Sequence, residues 1–310
     1  MRHLASWLLG CALSVSGCAE AVDDPNDPGA SASAADRTPS GRDTSITSPE
    51  RSRFEVDAIS WPYIGYHLGP VLLGTSNLYY IWYGDWSGNG ATSILTDLGN
   101  SIGGSPYFNI NTTYYSGVFT RHHVSNSVRL AGSTTDSYSL GTALTDANVQ
   151  GIVASAIASG RLPKDTNGIY FVLTSADVNE TGGFCTQYCG WHNHASISGS
   201  DIKYSFIGNP DRCPSACSAA GGAATPNGNL GADGMASILS HELEETVTDP
   251  DLNAWFDLFG QENADKCAWT FGATYTTANG ATANMKLGAR DFLIQQNWVA
   301  GRNVCAKAYP

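Results

Sequence analysis

LTDANVQGIVASAIASGRLP (144–163) and GIYFVLTS (168–175) are two consecutive segments from which the fold class of this chain can be recognised. The first has a Thr/Asp start, an apolar face and a Gly stop, which together predict a helix. The second is a run rich in apolar and β-branched residues, which predicts a buried strand. A helix followed at once by a buried strand is typical of an α/β unit with a parallel sheet.

Segments of the same two kinds occur on both sides of this pair. The sequence predicts a helix for ATSILTDLGNSI (91–102) and strands for NLYYIWYG (77–84), SNSVRLAG (125–132) and IKYSFIGN (202–209). The Gly- and aromatic-rich segment 268–310 is predicted to be irregular with short strands. The whole pattern predicts an α/β single domain with a mixed, partly parallel sheet flanked by helices.

The first 53 residues predict an export signal and a tether. MRHLASWLLGCALSVSGC (1–18) has a basic start, a short apolar run and small residues before Cys18, as signal peptides do. Residues 15–18 match a bacterial lipobox, so we expect a lipid anchor on Cys18 and a location in the cell envelope or outside the cell. Residues 19–53 contain no aromatic residue and predict a disordered tether, which leaves 54–310 as the folded domain.

Charge and cysteine content narrow the class of protein. The formal net charge is −12, which argues against nucleic acid or an anionic membrane as a partner. An even number of cysteines in an exported domain predicts three disulfides, with their pairing left open. The alternative is a four-thiolate zinc site made by CTQYC (185–189) and CPSAC (213–217), but three residues, not two, separate the cysteines of each pair.

The segment SHELEETVTDP (240–250) carries the strongest chemical signal. It lies in a helix predicted to run over 234–248, with Asp233 as its N-cap. At 100° per residue, His241 and Glu245 stack one turn apart at the edge of the buried face. An imidazole and a carboxylate placed in this way can converge on one ion, so both residues are predicted metal ligands.

The same geometry assigns the remaining acidic residues. Glu242 points toward the apolar side of the helix, whereas Glu244 points toward solvent. A third ligand must come from elsewhere in the chain, and we expect Glu262, with Asp251 and Asp265 as the alternatives. Mixed nitrogen and oxygen donors predict Zn²⁺ or another divalent cation as the cofactor.

A second polar segment is CGWHNHA (189–195), which is predicted to be a surface loop fixed by disulfides. His192 in this loop is either a site residue, as a ligand or as a donor that stabilises a transition state, or an exposed side chain. His194 is at least as well explained as an exposed surface residue.

The helix resembles that of the zincins, His-Glu-x-x-His, in which two His bind zinc and the Glu is the general base. Here Glu245 stands in place of the second His. The resemblance implies a zincin-like domain and a metal-dependent hydrolase of the zinc-peptidase type. Its catalytic residues would be Glu242 and His192, and its substrate a peptide or a cell-wall component.

A wider resemblance covers residues 66–305. Its main segments are YHLGPVLLGTSNLYYIWYG (66–84), IYFVLTSADVNETGGFCTQYCGWH (169–192), GNPDRCPSACS (208–218) and NGNLGADGMAS (227–237). In these segments the chain resembles the exordium, or phosphate-induced protein, family, whose plant members are secreted and associated with the cell wall. The plant pattern lacks His-Glu-x-x-Glu in the matching helix, so the resemblance implies an exported domain of zincin-like ancestry without assigning an activity.

Two further hypotheses therefore stand beside the hydrolase. In the first, the chain is a non-catalytic cell-surface binding domain of the exordium type, and Trp86, Trp191 or Trp255 stacks on sugar rings. Core packing is the competing interpretation for each Trp. In the second hypothesis, the polar cluster holds only a structural ion within a closed shell of ligands.

Overall fold

The computed structural model describes residues 45–47 and 63–310. The predicted signal peptide, with Cys18, lies outside the described residues, as does most of the predicted tether (19–53). Within the range of that tether, Ser45–Thr47 forms a short strand.

A six-stranded mixed sheet lies at the centre of the domain. Its strands are β1 Ser45–Thr47, β2 Ser76–Tyr83, β3 Val128–Asp136, β4 Gly168–Thr174, β5 Tyr188–Ile197 and β6 Ser200–Ile207. Their order across the sheet is β1-β5-β6-β4-β2-β3. The strands β6, β4, β2 and β3 run parallel, whereas β5 is antiparallel to both of its neighbours. The predicted mixed, partly parallel sheet is confirmed.

The helices are α1 Ala91–Ser101, α2 Asp146–Ala158, α3 Pro214–Cys217 and α4 Leu230–Thr248. Short 3-10 helices span Phe108–Thr113, Pro210–Arg212 and Asp265–Cys267. The connections β2-α1-β3 and β3-α2-β4 move in opposite directions across the sheet, so right-handed crossovers place α1 and α2 on opposite faces. Every residue of β4 is buried, because helices cover both faces of the parallel part.

The strand β5 corrects one prediction. Residues 189–195 were expected to form a surface loop, but they lie in an interior position of the sheet between β1 and β6. The sequence CGWHNHA did not indicate a strand because its polar residues do not alternate with apolar ones. In the structure His192 is buried and pairs with Ser205 on β6, at a position where apolar residues are usual.

The start of α4 also differs from the prediction. The helix begins four residues before Gly234, and its N-cap is Asn229, whose side chain accepts a hydrogen bond from the Ala232 backbone N–H. Gly231 permits this earlier start, because a Cβ there would lie 2.3 Å from Asn209 Oδ1. The predicted end at Thr248 is confirmed.

Three disulfides are present, as predicted. They join Cys185 to Cys213, Cys189 to Cys217 and Cys267 to Cys305. The first two attach the entry of β5 to the segment before α4 and exclude the four-thiolate zinc site. The third ties the C-terminal segment to the 3-10 helix Asp265–Cys267.

The C-terminal segment is irregular with short paired strands, as predicted. These are Tyr275–Thr276 with Thr282–Ala283, Met285–Leu287 with Arg290–Phe292, and Asn297–Val299 with Val304–Ala306. Three further pairs are Gly65–Tyr66 with Trp255–Phe256, Tyr115–Ser116 with His122–His123, and Ala143–Leu144 with Asn179–Glu180. None of the helices among the described residues has the length and apolar character required to cross a membrane.

Candidate functional site

Helix α4, which carries the His-Glu-x-x-Glu motif, passes through the interior of the domain. Its residues from Gly231 to Thr248 are all buried. The helix lies close to β5 because Gly190 has no side chain: a Cβ there would lie 2.6 Å from Ile238 Cγ2 and 3.1 Å from Glu242 Oε1. This approach brings side chains of β5 close to the His-Glu-x-x-Glu motif of the helix.

The first group of polar side chains surrounds His241. Its Nε2 atom lies 2.9 Å from Glu245 Oε1 and 3.4 Å from Asp265 Oδ1. The Asp265 backbone N–H donates a hydrogen bond to Glu245 Oε1 at 3.0 Å. The 3-10 helix Asp265–Cys267 therefore holds its first residue against one turn of α4.

The second group surrounds His192 on β5. Its Nε2 atom lies 3.1 Å from Glu262 Oε2 and 3.7 Å from Glu245 Oε2. Ligand-type atoms of His192, Glu242 and Glu245 all lie within 4.8 Å of one another, as do those of His241, Glu245 and Asp265. Glu245 thus belongs to both groups. We call the six residues His192, His241, Glu242, Glu245, Glu262 and Asp265 the buried cluster.

The predicted ligand set is only partly brought together at His241. Glu262, the expected third ligand, contacts His192, and Asp265, one of the alternatives, takes the place beside His241. Asp251, the other alternative, lies 2.8 Å from Lys203 Nζ in a separate cluster. Glu262 and Asp265 are only three residues apart, so sequence spacing did not distinguish them.

The two predicted orientations of α4 glutamates have different outcomes. Glu242 is buried, in agreement with its position on the apolar side. Glu244 was expected to face solvent but is also buried, and Asn297 Nδ2 donates a hydrogen bond to its Oε2 at 2.5 Å. The 3-10 helix Phe108–Thr113 also packs against α4, and burial raises the pKa of Glu244 well above its usual range.

Burial and neighbouring carboxylates shift the pKa values of two residues in the buried cluster. Burial, together with the Asp265 carboxylate, raises the pKa of Glu245 to about 8. Burial alone lowers the pKa of His241, but the Glu245 and Asp265 carboxylates outweigh this and raise it well above its ordinary value. Buried carboxylates are costly unless a positive group lies beside them. The interior therefore favours either an imidazolium or a metal cation among these side chains.

The geometry of the buried cluster is compatible with a divalent cation. Ligands at about 2.1 Å from an ion lie roughly 2.9–3.4 Å from one another in octahedral and tetrahedral shells. The distances of 2.9 and 3.4 Å from His241 Nε2 to Glu245 and Asp265 lie in this range. Imidazole with carboxylate donors is a set suited to Zn²⁺ and Mn²⁺.

His194, two residues beyond His192, lies in a different environment. Its Nδ1 atom lies 2.9 Å from Asp201 Oδ1, and both side chains are partly open to solvent. Lys203 Nζ lies beside Asp201 and Asp251. Because a lysine cation already balances these carboxylates, this cluster is explained as a surface ion-pair network.

The three tryptophans proposed for sugar stacking are not equally placed. Trp191 and Trp255 are buried, and Trp255 Nε1 donates a hydrogen bond to the Tyr115 carbonyl at 2.8 Å. Trp86 is half-buried, with its ring 5.2 Å from that of Trp82. Core packing therefore accounts for Trp191 and Trp255.

The most exposed large apolar side chains of the described residues lie instead at two turns and in the loop beside them, which sequence reasoning missed. One turn joins the strands Tyr115–Ser116 and His122–His123, and the other follows the strand Trp255–Phe256. We call their exposed residues and the neighbouring exposed loop the turn patch, which consists of His67, Leu68, Val118, Phe119, Arg121, His122, His123, Leu258 and Phe259. The signal available in the sequence was GVFTRHH (117–123), where apolar and basic residues replace the usual polar turn residues.

A shared aromatic core supports both turns. The Tyr66 ring lies 5.4 Å from Tyr115 and 5.5 Å from Trp255. The Gly117 backbone N–H donates a hydrogen bond to Tyr66 Oη at 2.9 Å. Gly117 has φ of 93°, so the turn requires glycine. The tips at Phe119 and Phe259 are therefore held on a packed base.

The turn patch is locally basic in an acidic protein. Residues 63–75 and 115–124 contain no acidic residue. Asp257, in the second turn, is buried, and its carboxylate lies 3.1 Å from Lys266 Nζ. The Arg121 guanidinium lies 4.3 Å above the Tyr115 ring. Positive and aromatic groups thus face solvent together.

A family model and several individual proteins match this chain, and they all point to the same family. Residues 64–307 match the family described as "Phosphate-induced protein 1 conserved region". The chain is 33% identical to the protein EXORDIUM-like 5 of Arabidopsis thaliana over 303 residues, which cover 86% of this chain and 82% of that protein. It is 32% identical to EXORDIUM-like 3 of the same plant, over 75% of this chain and 79% of that protein.

A tobacco relative extends this comparison to another plant. The chain is 27% identical to PHOSPHATE-INDUCED 1 of Nicotiana tabacum, over 62% of this chain and 66% of that protein. No solved structure matches the chain. The resemblance predicted from the sequence is confirmed, and the chain belongs to the phosphate-induced protein 1, or exordium, family.

Proposed function

We propose that this chain is a non-catalytic cell-surface binding domain that presents the turn patch to an acidic glycan, and that its buried cluster holds a divalent cation as part of the fold. One contrast carries this proposal. Only Asp265 in the buried cluster has a measurably exposed side chain, at 11%, whereas Phe119 in the turn patch is fully exposed. A polymer at the surface therefore meets the turn patch and does not reach the cluster.

The chemistry of the turn patch favours an acidic glycan as the ligand. Exposed apolar patches commonly mark interaction sites. Aromatic rings such as Phe119 and Phe259 offer flat faces against which sugar rings pack. Arg121, His122 and His123 offer positive or hydrogen-bonding groups, and the field of the remaining acidic surface repels an anionic polymer elsewhere. The ligand would therefore bind at the end of the domain that carries the turn patch.

Binding to an immobilised polysaccharide tests the proposal. Wild-type protein is passed over polygalacturonate and over neutral dextran at low and high salt. We expect retention on polygalacturonate alone, with at least a fivefold loss for Phe119→Ser and for Arg121→Gln. Tyr275→Ser is the matched control, because Tyr275 is exposed on another hairpin. Anionic lipid vesicles are tested in parallel. Equal retention of all four proteins on polygalacturonate, or binding to the vesicles without retention on polygalacturonate, would contradict the proposal.

The location of the protein belongs to the same proposal. Three disulfides fit an oxidising compartment outside the cytosol. Anchoring through lipidated Cys18 would keep the domain at the membrane while a tether lets it reach the wall. Labelling of cells with a lipid precursor tests this, and Cys18→Ala should abolish the label.

A metal-dependent hydrolase of the zinc-peptidase type is the second candidate. It is favoured by Glu242, which follows His241 directly and lies with His192 and Glu245 in one group of ligand-type atoms. Glu242 would accept the proton of the attacking water, and His192 would stabilise the transition state. The zincin-like ancestry implied by the sequence belongs to this candidate.

Glu242→Gln separates the two candidates. If the chain is a hydrolase, wild-type protein cleaves a peptide or cell-wall substrate, and this variant loses turnover by at least a hundredfold. If the chain only binds, neither protein releases product above background, while both bind polygalacturonate equally well.

A further inference from the structure

The two carboxylate oxygens of Glu245 face different histidines. Oε1 lies 2.9 Å from His241 Nε2, and Oε2 lies 3.7 Å from His192 Nε2. Oε2 is buried and accepts no hydrogen bond from the part of the chain that the structure describes. A buried carboxylate with one oxygen on each side is arranged to bridge two positive centres.

We propose that the buried cluster binds two divalent cations, bridged by the Glu245 carboxylate. The first lies between His241, Glu245 Oε1 and Asp265. The second lies between His192, Glu245 Oε2, Glu262 and Glu242. The inference rests on the proposed function only in assuming that the buried cluster holds a cation, and it adds the number of cations and the ligands of each.

The distances from each histidine to its partner on the 262–265 segment support two separate positions. His241 Nε2 lies 3.4 Å from Asp265 Oδ1, and His192 Nε2 lies 3.1 Å from Glu262 Oε2. These are the separations expected of two ligands on one ion, roughly 2.9–3.4 Å. Each histidine therefore has its own carboxylate partner on the 262–265 segment, and Glu245 is common to both. Carboxylate-bridged ions about 3.5–4 Å apart are a recurrent arrangement in proteins.

Charge balance also favours two cations. The buried cluster contains four carboxylates, those of Glu242, Glu245, Glu262 and Asp265, with two imidazoles. A single divalent cation with neutral imidazoles leaves two negative charges in the interior, where an unbalanced charge is costly. Two divalent cations balance all four carboxylates. Mixed imidazole and carboxylate donors suit Mn²⁺ or Zn²⁺ at both positions.

Metal stoichiometry tests the inference on the full chain. The protein is stripped by dialysis against a chelator, loaded with Mn²⁺, desalted and assayed for manganese per chain. We expect two ions for wild type, one for His241→Ala and one for His192→Ala. The matched control His194→Ala should keep two, because His194 lies in the surface ion-pair network. A single ion in wild type overturns the bridged pair while leaving a cation in the cluster, whereas no ion in wild type overturns both proposals.

Electron paramagnetic resonance of Mn²⁺-loaded wild type gives a second readout that needs no variant to fold. Two Mn²⁺ ions sharing a carboxylate are exchange-coupled, so we expect a multiline spectrum with about half the hyperfine spacing of an isolated ion. A simple six-line spectrum at full loading would overturn the inference. A multiline spectrum supports it even if His192→Ala or His241→Ala is recovered only as unfolded protein.

Discussion

The buried cluster and the turn patch reverse the usual distribution of side chains between the inside and the outside of a protein. Six ionisable residues meet in the interior around α4, whereas Phe119 and Phe259 stand in solvent at the tips of two turns. Charged groups are rarely fully buried unless they are paired or bind metals. Exposed apolar patches are equally unusual in proteins that bind nothing.

From this contrast we infer that the buried cluster serves the fold and that the turn patch serves a ligand. The cluster is connected to β5, α4 and the 262–265 segment, so its loss should disturb all three. The turn patch projects from an aromatic core that is complete without the exposed tips. We therefore expect substitutions in the cluster to lower stability and substitutions in the patch to leave it unchanged.

The largest effect is expected for His241→Ala. Removing this imidazole leaves the Glu245 and Asp265 carboxylates buried without their partner, and breaking such a buried pair costs about 3–5 kcal/mol. Urea denaturation followed by circular dichroism measures the free energy of unfolding. His194→Ala is the matched change in the surface network, where an exposed pair contributes less than about 1 kcal/mol. Similar losses in both variants would mean that the buried cluster has no special role.

Much of the fold could be predicted from the sequence because its parallel strands are continuous apolar runs. The β4 segment 168–174 and the helix 146–158 were both recognised, since hydrophobic pattern and capping residues act over a few neighbours. β5 was not, because its position depends on pairing with β6 and on the two disulfides beside it. Those contacts are made between residues far apart in the chain.

The site could be predicted only where local spacing decides it. His241 and Glu245 are one helical turn apart, so their convergence follows from helix geometry. Asp265, and not the predicted Glu262, lies beside His241, because a short 3-10 helix that begins at Asp265 packs against α4. The burial of Glu244 depends on a strand some fifty residues later, at Asn297. Neither is encoded in a local periodicity.

A smaller effect is expected for Gly190→Ala, which forces β5 away from α4. The added Cβ would lie 2.6 Å from Ile238 Cγ2 and 2.9 Å from the Phe206 carbonyl oxygen. Overpacking of this kind costs about 1–3 kcal/mol. The control is Gly301→Ala, since a Cβ there meets no heavy atom within 4 Å. If both variants unfold at the same urea concentration as wild type, the close approach of strand and helix does not support the cluster.

A third test uses carboxyls that lack an imidazole partner. Partial desolvation of Asp146 and the Glu180 carboxyl beside it raise the pKa of Asp146 to about 6. Within the part of the chain that the structure describes, two tyrosines also face this pair: Tyr188, which donates a hydrogen bond to Glu180, and Tyr204.

The sign of the pH effect follows from the raised value. Between pH 4 and 6 the folded protein keeps a proton that the unfolded chain releases, so the free energy of unfolding falls as pH rises. Because Asp146 is exposed and screened by solvent, we expect a change of about 1 kcal/mol. Asp146→Asn should remove this part of the pH dependence. An identical pH profile for the variant and the wild type would show that the pair does not resist ionisation.

The smallest effect on stability is expected in the turn patch itself. Phe119 is fully exposed, so Phe119→Ser should change the free energy of unfolding by less than about 0.5 kcal/mol. Trp255→Ala is the contrasting change in the supporting core, where loss of a buried aromatic ring costs about 3–5 kcal/mol. Urea denaturation of both variants, run beside polygalacturonate retention, separates the two roles. If Phe119→Ser unfolds as readily as Trp255→Ala, the tip is part of the packed core, and the patch no longer differs from the interior in kind.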